Sequence, residues 1–485
     1  MTTDMTRKAT AMHTETTLID GEWSALDARR RVTAPGTGET VGTVCWGSAD
    51  DARRAADAAA RAFDAWASLP GRQRADILLR AAELLRERTD EIAPILAAEA
   101  GKRLPEAVGE LGFSAEYIRW FAEEVRRPQG SVFSQEDGAR RHLSTRRAAG
   151  VVVSLTSWNF PCSLQARKLA PALAAGCPVV VRVSERAPLA VTELIRAFSD
   201  AGVPAGVLGL VHGPSREITD ALLEHPAVRV VTFTGSTSVG RAIMAKASER
   251  VVRPLLELGG DAGFVVFDDA DIDQAVEAAV LAKTRNTGQS CVGANRFLVQ
   301  AGVHDEFVAK LARRLDAMSI GDGLAEPTPD LGPMIDAKGV QAVNDIVADA
   351  VARGAVEATT PRDVPETGHF VRPMLFTDVP DDARLAREEV FGPVAGVFRF
   401  DTEDEAVSQA NSTEMGLASY VFSRDASRCW RVADRLEAGI VGINDPLPSV
   451  AFAPMGGVKQ SGLGREGSAL GLDEFTEPKY LAWRV

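Results

Sequence analysis

Short, unbroken apolar runs separated by helix-like segments constrain this chain more than any other feature. AGVVVSL (149–155), PVVVRV (178–183), GVLGLV (206–211), VRVVTF (228–233) and PLLELGG (254–260) are rich in valine and leucine. Between them lie stretches with helical spacing, at 162–175, 188–200, 215–223 and 238–248. A strand apolar on both faces is buried on both faces, so the pattern predicts a parallel sheet covered by helices on either side. The fold class is α/β, doubly wound, of the Rossmann nucleotide-binding type. After Gly260 a second series begins: GFVVF as strand, DIDQAVEAAVLAKT as helix, NRFLVQ as strand and VHDEFVAKLARRLDAM as helix. This predicts a second α/β unit.

The first 150 residues read differently. DDARRAADAAARAFDAW and RQRADILLRAAELLRERTDEIAPILAAEAG place apolar residues three and four apart, the spacing of amphipathic helices, and Gly101 suits a helix stop. A further helix is expected from about Glu106 to Arg126, and a loop or hairpin from Gly130 to Arg141. The terminal DEFTEPKYLAWRV reads as a strand able to pair with another subunit's sheet edge. With 485 residues, about three domain-sized units are expected.

Charge and cysteine content exclude several function classes. The net charge is −13, from 67 acidic against 54 basic residues. Phosphate backbones and anionic membranes need clustered Lys and Arg, so neither is an expected partner. The longest apolar stretch, Leu169 to Val181, is shorter than the roughly 18 residues of a membrane helix. The polar opening MTTDMTRKATAMHTETT lacks the apolar core of a signal peptide. The five cysteines are widely spaced without a CxxC pair, which argues against a disulfide framework or a zinc site. No metal is expected, and a reducing cytoplasm fits best.

Several residues carry chemistry. The chain has no GxGxxG fingerprint, but Gly235-Ser236-Thr237-Ser238-Val239-Gly240 follows a strand and opens a helix, where backbone N–H groups suit a pyrophosphate. Alone, the same turn also reads as a plain strand-to-helix connection with a Ser or Thr cap. Cys291, in a small-residue turn before a strand, can be approachable and ionisable, or simply a buried small residue. Glu257 lies inside an apolar run, where burial raises a carboxylate toward the range of a general base, unless it is a satisfied core glutamate. Asn159, before Phe160-Pro161, can offer an N–H to an oxyanion or order a turn.

Taken together with SWNFP (157–161), LELGG (256–260), NTGQSCVGANR (286–296), EEVFGPV (388–394), VGIN (441–444) and PMGGVKQSGLGREG (454–467), these signals resemble the NAD(P)-dependent aldehyde dehydrogenase superfamily. The resemblance runs from Ile19-Asp20-Gly21-Glu22-Trp23 to Lys479-Tyr480. It implies a Cys291 nucleophile, a Glu257 base that activates water, and an oxyanion held by Asn159 and the Cys291 N–H. It implies cofactor contacts from Ser157, Trp158, Arg182, Glu185, Gly235, Ser236, Gly240, Leu258, Glu389 and Phe391. The family usually has Lys where this chain has Arg182. A carboxylate at Glu185 favours NAD by accepting bonds from both ribose hydroxyls and repelling a 2′-phosphate, with NADP possible because Arg182 and Arg186 offset it.

Within the superfamily the chain is most similar to succinate-semialdehyde dehydrogenases, through Arg167, Arg285 and Ser449, which are implied to hold the distal carboxylate of the substrate. Gly293 stands where that group often has a second cysteine. Asp261, Met455 and the stretch 445–452 also depart from its usual pattern. The implied domains are NAD-binding (1–127 and 148–257), catalytic (258–446) and oligomerisation (128–147 and 467–485), in a cytoplasmic homodimer or homotetramer. Rival expectations are a dehydrogenase for glutarate semialdehyde or for an aromatic or aliphatic aldehyde, a CoA-acylating enzyme, and a non-catalytic relative. Glu257 argues against the CoA-acylating reading. Cys291, Glu257 and Asn159 together argue against the non-catalytic one.

Overall fold

The computed structural model describes residues 13–127, 130–134 and 138–484. The polar opening through residue 12 and the tip of the 130–141 hairpin lie outside these. Five short strands come first: β1 (His13–Glu15), β2 (Thr17–Ile19), β3 (Glu22–Ser24), β4 (Arg29–Thr33) and β5 (Thr40–Cys45). Four helices follow, at Ala49–Ser68, Gly71–Glu87, Thr89–Ala100 and Leu104–Glu124. In the second of these Ala75, Leu78, Ala81, Ala82 and Leu85 are buried, the one-face spacing that the sequence displays. The apolar run expected as one helix over 72–101 breaks at Arg88, and Gly101 ends it in the left-handed conformation, with φ +73°.

β6 (Gly130–Phe133) and β7 (Arg140–Ala148) form the hairpin. Then come β8 (Val151–Leu155), β9 (Val179–Arg182), β10 (Leu208–Leu210), β11 (Val228–Thr234) and β12 (Arg253–Glu257), interleaved with helices at Pro161–Ala175, Leu189–Asp200, Ser215–Glu224 and Thr237–Ser248. The second series holds β13 (Ala262–Val266), β14 (Ala294–Gln300), β15 (Val356–Glu357), β16 (Met374–Thr377), β17 (Val394–Phe400), β18 (Ala418–Phe422) and β19 (Ile440–Ile443). β20 (Gly462–Leu463) and β21 (Thr476–Arg484) close the chain.

The first large sheet has the order β20-β12-β11-β8-β9-β10-β2-β3. Its five inner strands are parallel. The chain winds outward from β8 to β10, then returns to the other side of β8 for β11 and β12. Connections therefore leave β8 and β11 in opposite directions, which opens a crevice at their carboxyl ends. The second sheet, β15-β16-β17-β14-β13-β18-β19, is parallel except for β15.

β21 pairs along its whole length with β7 of its own chain, so the strand expected to find another subunit's edge first completes a sheet at home. Among the described residues its other edge has no partner, and its Tyr480 and Trp483 side chains are exposed. Among the same residues no helix is long and apolar enough to cross a membrane.

Candidate active site

The site lies where the carboxyl ends of the first sheet meet the amino ends of the second. Leu155, Arg182, Phe233 and Glu257 end or nearly end four neighbouring strands: Leu155 pairs with both Arg182 and Phe233, and Thr234 with Glu257. The loop 156–160 and the turn at Gly235-Ser236 therefore emerge side by side. From the second sheet, Gly260 precedes β13, Cys291 precedes β14, and Glu389 and Phe391 precede β17. A Cβ on Gly260 would collide with the Cys291 carbonyl, so only glycine permits this approach.

Cys291 is presented by a strained turn. Asn286 and Thr287 hold φ of 52° and 57°, a conformation costly for a β-branched residue. The surroundings enforce it. Thr287 Oγ1 donates to the Gly332 carbonyl at 3.0 Å, and Asn286 Nδ2 donates to the Asn159 carbonyl at 2.9 Å. Ile335 N donates to Gln289 Oε1 at 2.9 Å. A Cβ on Gly288 would strike the Gly392 carbonyl. Cys291 stays half-buried, its thiol pushed up to about 12 by burial and then by the nearby Glu389 and Glu257 carboxylates, with Arg167 opposing. Such a thiol needs help in losing its proton.

Glu257 is 2% exposed, and neither carboxylate oxygen has a hydrogen-bond partner among the described residues. Its pKa rises to about 8, first through burial and then through Glu466, with Lys168, Arg167 and Arg465 opposing. A satisfied core glutamate would show a partner, and the described residues offer this one none. Glu466 is itself buried, paired with Lys168 and lying 3.5 Å from Arg167 Nη1. The sequence placed Glu466 in a glycine-rich motif without a role.

Asn159 Nδ2 donates to the Gln289 carbonyl at 3.1 Å, which brings its amide beside the Cys291 turn. Ser157 donates to Asn159 Oδ1 at 2.6 Å, so this hydroxyl orients the amide, a function the sequence did not suggest. Lys102 and Glu110 were missed altogether. Lys102 donates to the Asn159 carbonyl at 2.8 Å and pairs with Glu110 in the interior. Glu110 accepts from the N–H groups of Cys162 and Ser163, capping a helix whose own N-cap, Phe160, has no capping side chain. Glu110 leaves one trace in the sequence, a charge on an otherwise apolar helix face, whereas Lys102 lies in the loop between two helices and leaves none.

The expected cofactor residues line the same crevice. No side chain caps the helix that Ser236 opens. Gly240 lets that helix close on Leu258, whose methyl a Cβ would overlap. Trp158 and Phe391 meet edge to face at 5.6 Å. Glu389 Oε1 accepts from Gly260 N at 3.1 Å, and burial raises its pKa to about 7. Arg182 donates to the Gly213 carbonyl, while its buried Nε has no partner among the described residues. Free helix N–H groups, two glycines and an orphaned guanidinium donor fit a dinucleotide.

The family comparison decides the class: the aldehyde dehydrogenase family matches residues 23–481. The chain belongs to that family. Glutarate-semialdehyde dehydrogenase of Pseudomonas putida is 44% identical over 469 residues, covering 96% of this chain and 97% of that protein. The succinate-semialdehyde dehydrogenase (NADP(+)) of Escherichia coli is 43% identical, with 96% of each chain covered. A crystal structure of succinate-semialdehyde dehydrogenase from Burkholderia pseudomallei superposes with TM-score 0.95 at 45% identity, covering 97% of this chain and 98% of that one. A Staphylococcus aureus betaine aldehyde dehydrogenase in complex with NAD+ does so with TM-score 0.94 at 33% identity, covering 99% and 95%.

The two arginines of this aldehyde dehydrogenase differ. Arg167 is buried, near Glu466 and 2.7 Å from Met455 Sδ, with Nε unpartnered among the described residues. Burial opposes its charge, but Tyr117 and Glu466 outweigh that and its pKa is raised. Arg285 is half-buried over the Phe160 ring at 4.9 Å, and no carboxylate pairs with it among the described residues. Ser449 donates to Met455 Sδ at 3.3 Å and so adjoins Arg167.

Proposed function

We propose that the protein oxidises succinate semialdehyde to succinate with NAD(P), through a cysteine hemithioacetal and a thioester. The observation that carries the reading is the convergence of the Cys291 thiol, the unpartnered Glu257 carboxylate and the Asn159 amide at one seam between two sheets. Cys291, once deprotonated, adds to the aldehyde carbonyl carbon. The Asn159 amide and the Cys291 backbone N–H hold the oxygen that becomes negative. Bound NAD(P) supplies the hydride acceptor, leaving the acyl group on sulfur. Glu257 then takes a proton from water as the water adds to the thioester, and the thiolate leaves with the acid formed.

Ser236, Gly235 and Gly240 would hold the pyrophosphate, Glu389 the nicotinamide ribose, Trp158 and Phe391 the nicotinamide side, and Arg182 with Glu185 the adenosine ribose. NAD is the favoured cofactor and NADP an accepted one. Arg285, unpaired, would grip the substrate carboxylate with Arg167 and Ser449 beside it. Residues 1–127 and 148–257 would bind cofactor, 258–446 would carry catalysis, and 128–147 with 467–485 would join subunits into a dimer or tetramer. Five free thiols suit a cytoplasmic setting. Glutarate semialdehyde is a second reading, favoured by the 44%-identical relative of that name.

Steady-state kinetics with succinate semialdehyde, glutarate semialdehyde and butanal, each with NAD and NADP, test the assignment. Succinate semialdehyde should have the highest kcat/KM. A higher value for glutarate semialdehyde would move the assignment to the longer acid, and one for butanal would remove the carboxylate grip.

A further inference from the structure

The carboxylate that reads the adenosine ribose is not free. Arg30, on β4 and far away in sequence, brings Nη2 to 3.2 Å from Glu185 Oε1. Arg182 approaches the other oxygen, Oε2, at 3.6 Å. Arg30 is itself steadied from below, its guanidinium 4.9 Å from the centre of the Trp46 ring. β4 pairs with β5 with Arg30 opposite Val44, and Trp46 follows directly after β5, so a strand pair sets this stack. Glu185 remains about one-third exposed, at 34%. A bare glutamate here would repel a 2′-phosphate. The group Arg30, Arg182 and Glu185 instead carries a net positive charge, and Arg182 keeps a buried, unpartnered Nε. Arg30 is near enough to help hold the Arg182 pKa down to about 10, behind burial and against the pull of Glu185.

We propose that Arg30 determines cofactor specificity. It steadies Glu185 when the ribose hydroxyls are free, and it takes the 2′-phosphate, with Glu185 turned out to solvent, when NADP binds. The chain then accepts both dinucleotides although it has a glutamate at the discriminating position. The inference rests on the reading of 182–185 as the adenosine ribose site.

Isothermal titration of NAD and NADP into the wild type, Arg30→Met, Arg30→Lys, Glu185→Gln and the Arg30→Met/Glu185→Gln double variant tests it without turnover. Methionine keeps an apolar stem on Trp46, and the NAD titration reports that the site is folded. Loss of one charge-assisted bond should raise the Kd(NADP)/Kd(NAD) ratio of Arg30→Met about tenfold or more. Arg30→Lys should recover part of that. Glu185→Gln should lower the ratio, and adding Arg30→Met should cancel most of the gain. A ratio that Glu185→Gln moves and Arg30→Met leaves alone would make Arg30 a bystander and overturn the proposal. A ratio that neither variant moves would overturn the site reading, and the proposal with it. Undetectable NADP binding by the wild type would also overturn the proposal.

Discussion

At the scale of residues, Glu257 shows how burial makes a base. Burial and the neighbouring Glu466 push its pKa up to about 8, so the carboxylate gains basicity as pH rises. Turnover limited by thioester hydrolysis should therefore climb through about pH 8, and Glu257→Gln should lose that limb with a rate loss of about 10²–10⁴. A burst of reduced cofactor in stopped-flow absorbance, followed by slow turnover, would separate loss of hydrolysis from loss of acylation. The same shift has a stability consequence. The folded pKa lies above the ordinary 4.5, so this contribution is complete below that value and is lost as pH rises through about 8. Glu257→Gln should thus melt higher than the wild type at alkaline pH, with no such gain near pH 5, in a calorimetric comparison. The arginines make a second contrast. Arg285→Leu should cost succinate semialdehyde about 2–5 kcal/mol in kcat/KM and leave butanal nearly unchanged. Arg167→Leu should hurt both aldehydes, because it also strips a cation from Glu466 beside the base.

At the scale of elements, the Asn159 loop depends on a neighbouring helix. Glu110 caps the helix Pro161–Ala175 and neutralises Lys102, which holds the Asn159 carbonyl. Glu110→Ala would leave a buried ammonium unpaired and two N–H groups unsatisfied, at a cost of about 3–5 kcal/mol. Its thermal midpoint should fall further than that of the Lys102→Met/Glu110→Met double variant, which removes both charges at once. A larger fall in the double variant would show that the pair does not act as a unit. The helices and strands themselves were legible because apolar spacing reports burial directly. Residues such as Glu110 and Lys102 were not, because their partners lie on other elements and leave no local pattern.

At the scale of the whole molecule, β21 lies on the surface with one edge paired to β7 and, among the described residues, nothing on the other, and its Tyr480 and Trp483 are exposed. A nine-residue strand edge of free backbone N–H and C=O groups, beside exposed aromatic side chains, invites pairing with a second copy. Light scattering should give the intact chain a mass of two or four subunits. Removing residues 476–485 should produce monomers or aggregates by baring β7. A monomer for the intact chain would count against this assembly.

The sequence by itself determined the two wound sheets, the turn that carries Cys291, and the family, because each is written in contiguous residues. Apolar runs set strands and helices through burial, and ordered motifs such as NTGQSCVGANR and EEVFGPV stand in single stretches. Only the tertiary structure decided that the Cys291 turn meets the Asn159 loop and Gly260 at the carboxyl ends of the other sheet. Only it showed that Glu257 has no partner, that Ser157 serves Asn159, and that Arg30 reaches Glu185. These are matters of distance between segments remote in the chain. Electrostatic shifts and hydrogen bonds depend on that distance, and residue order does not encode it locally.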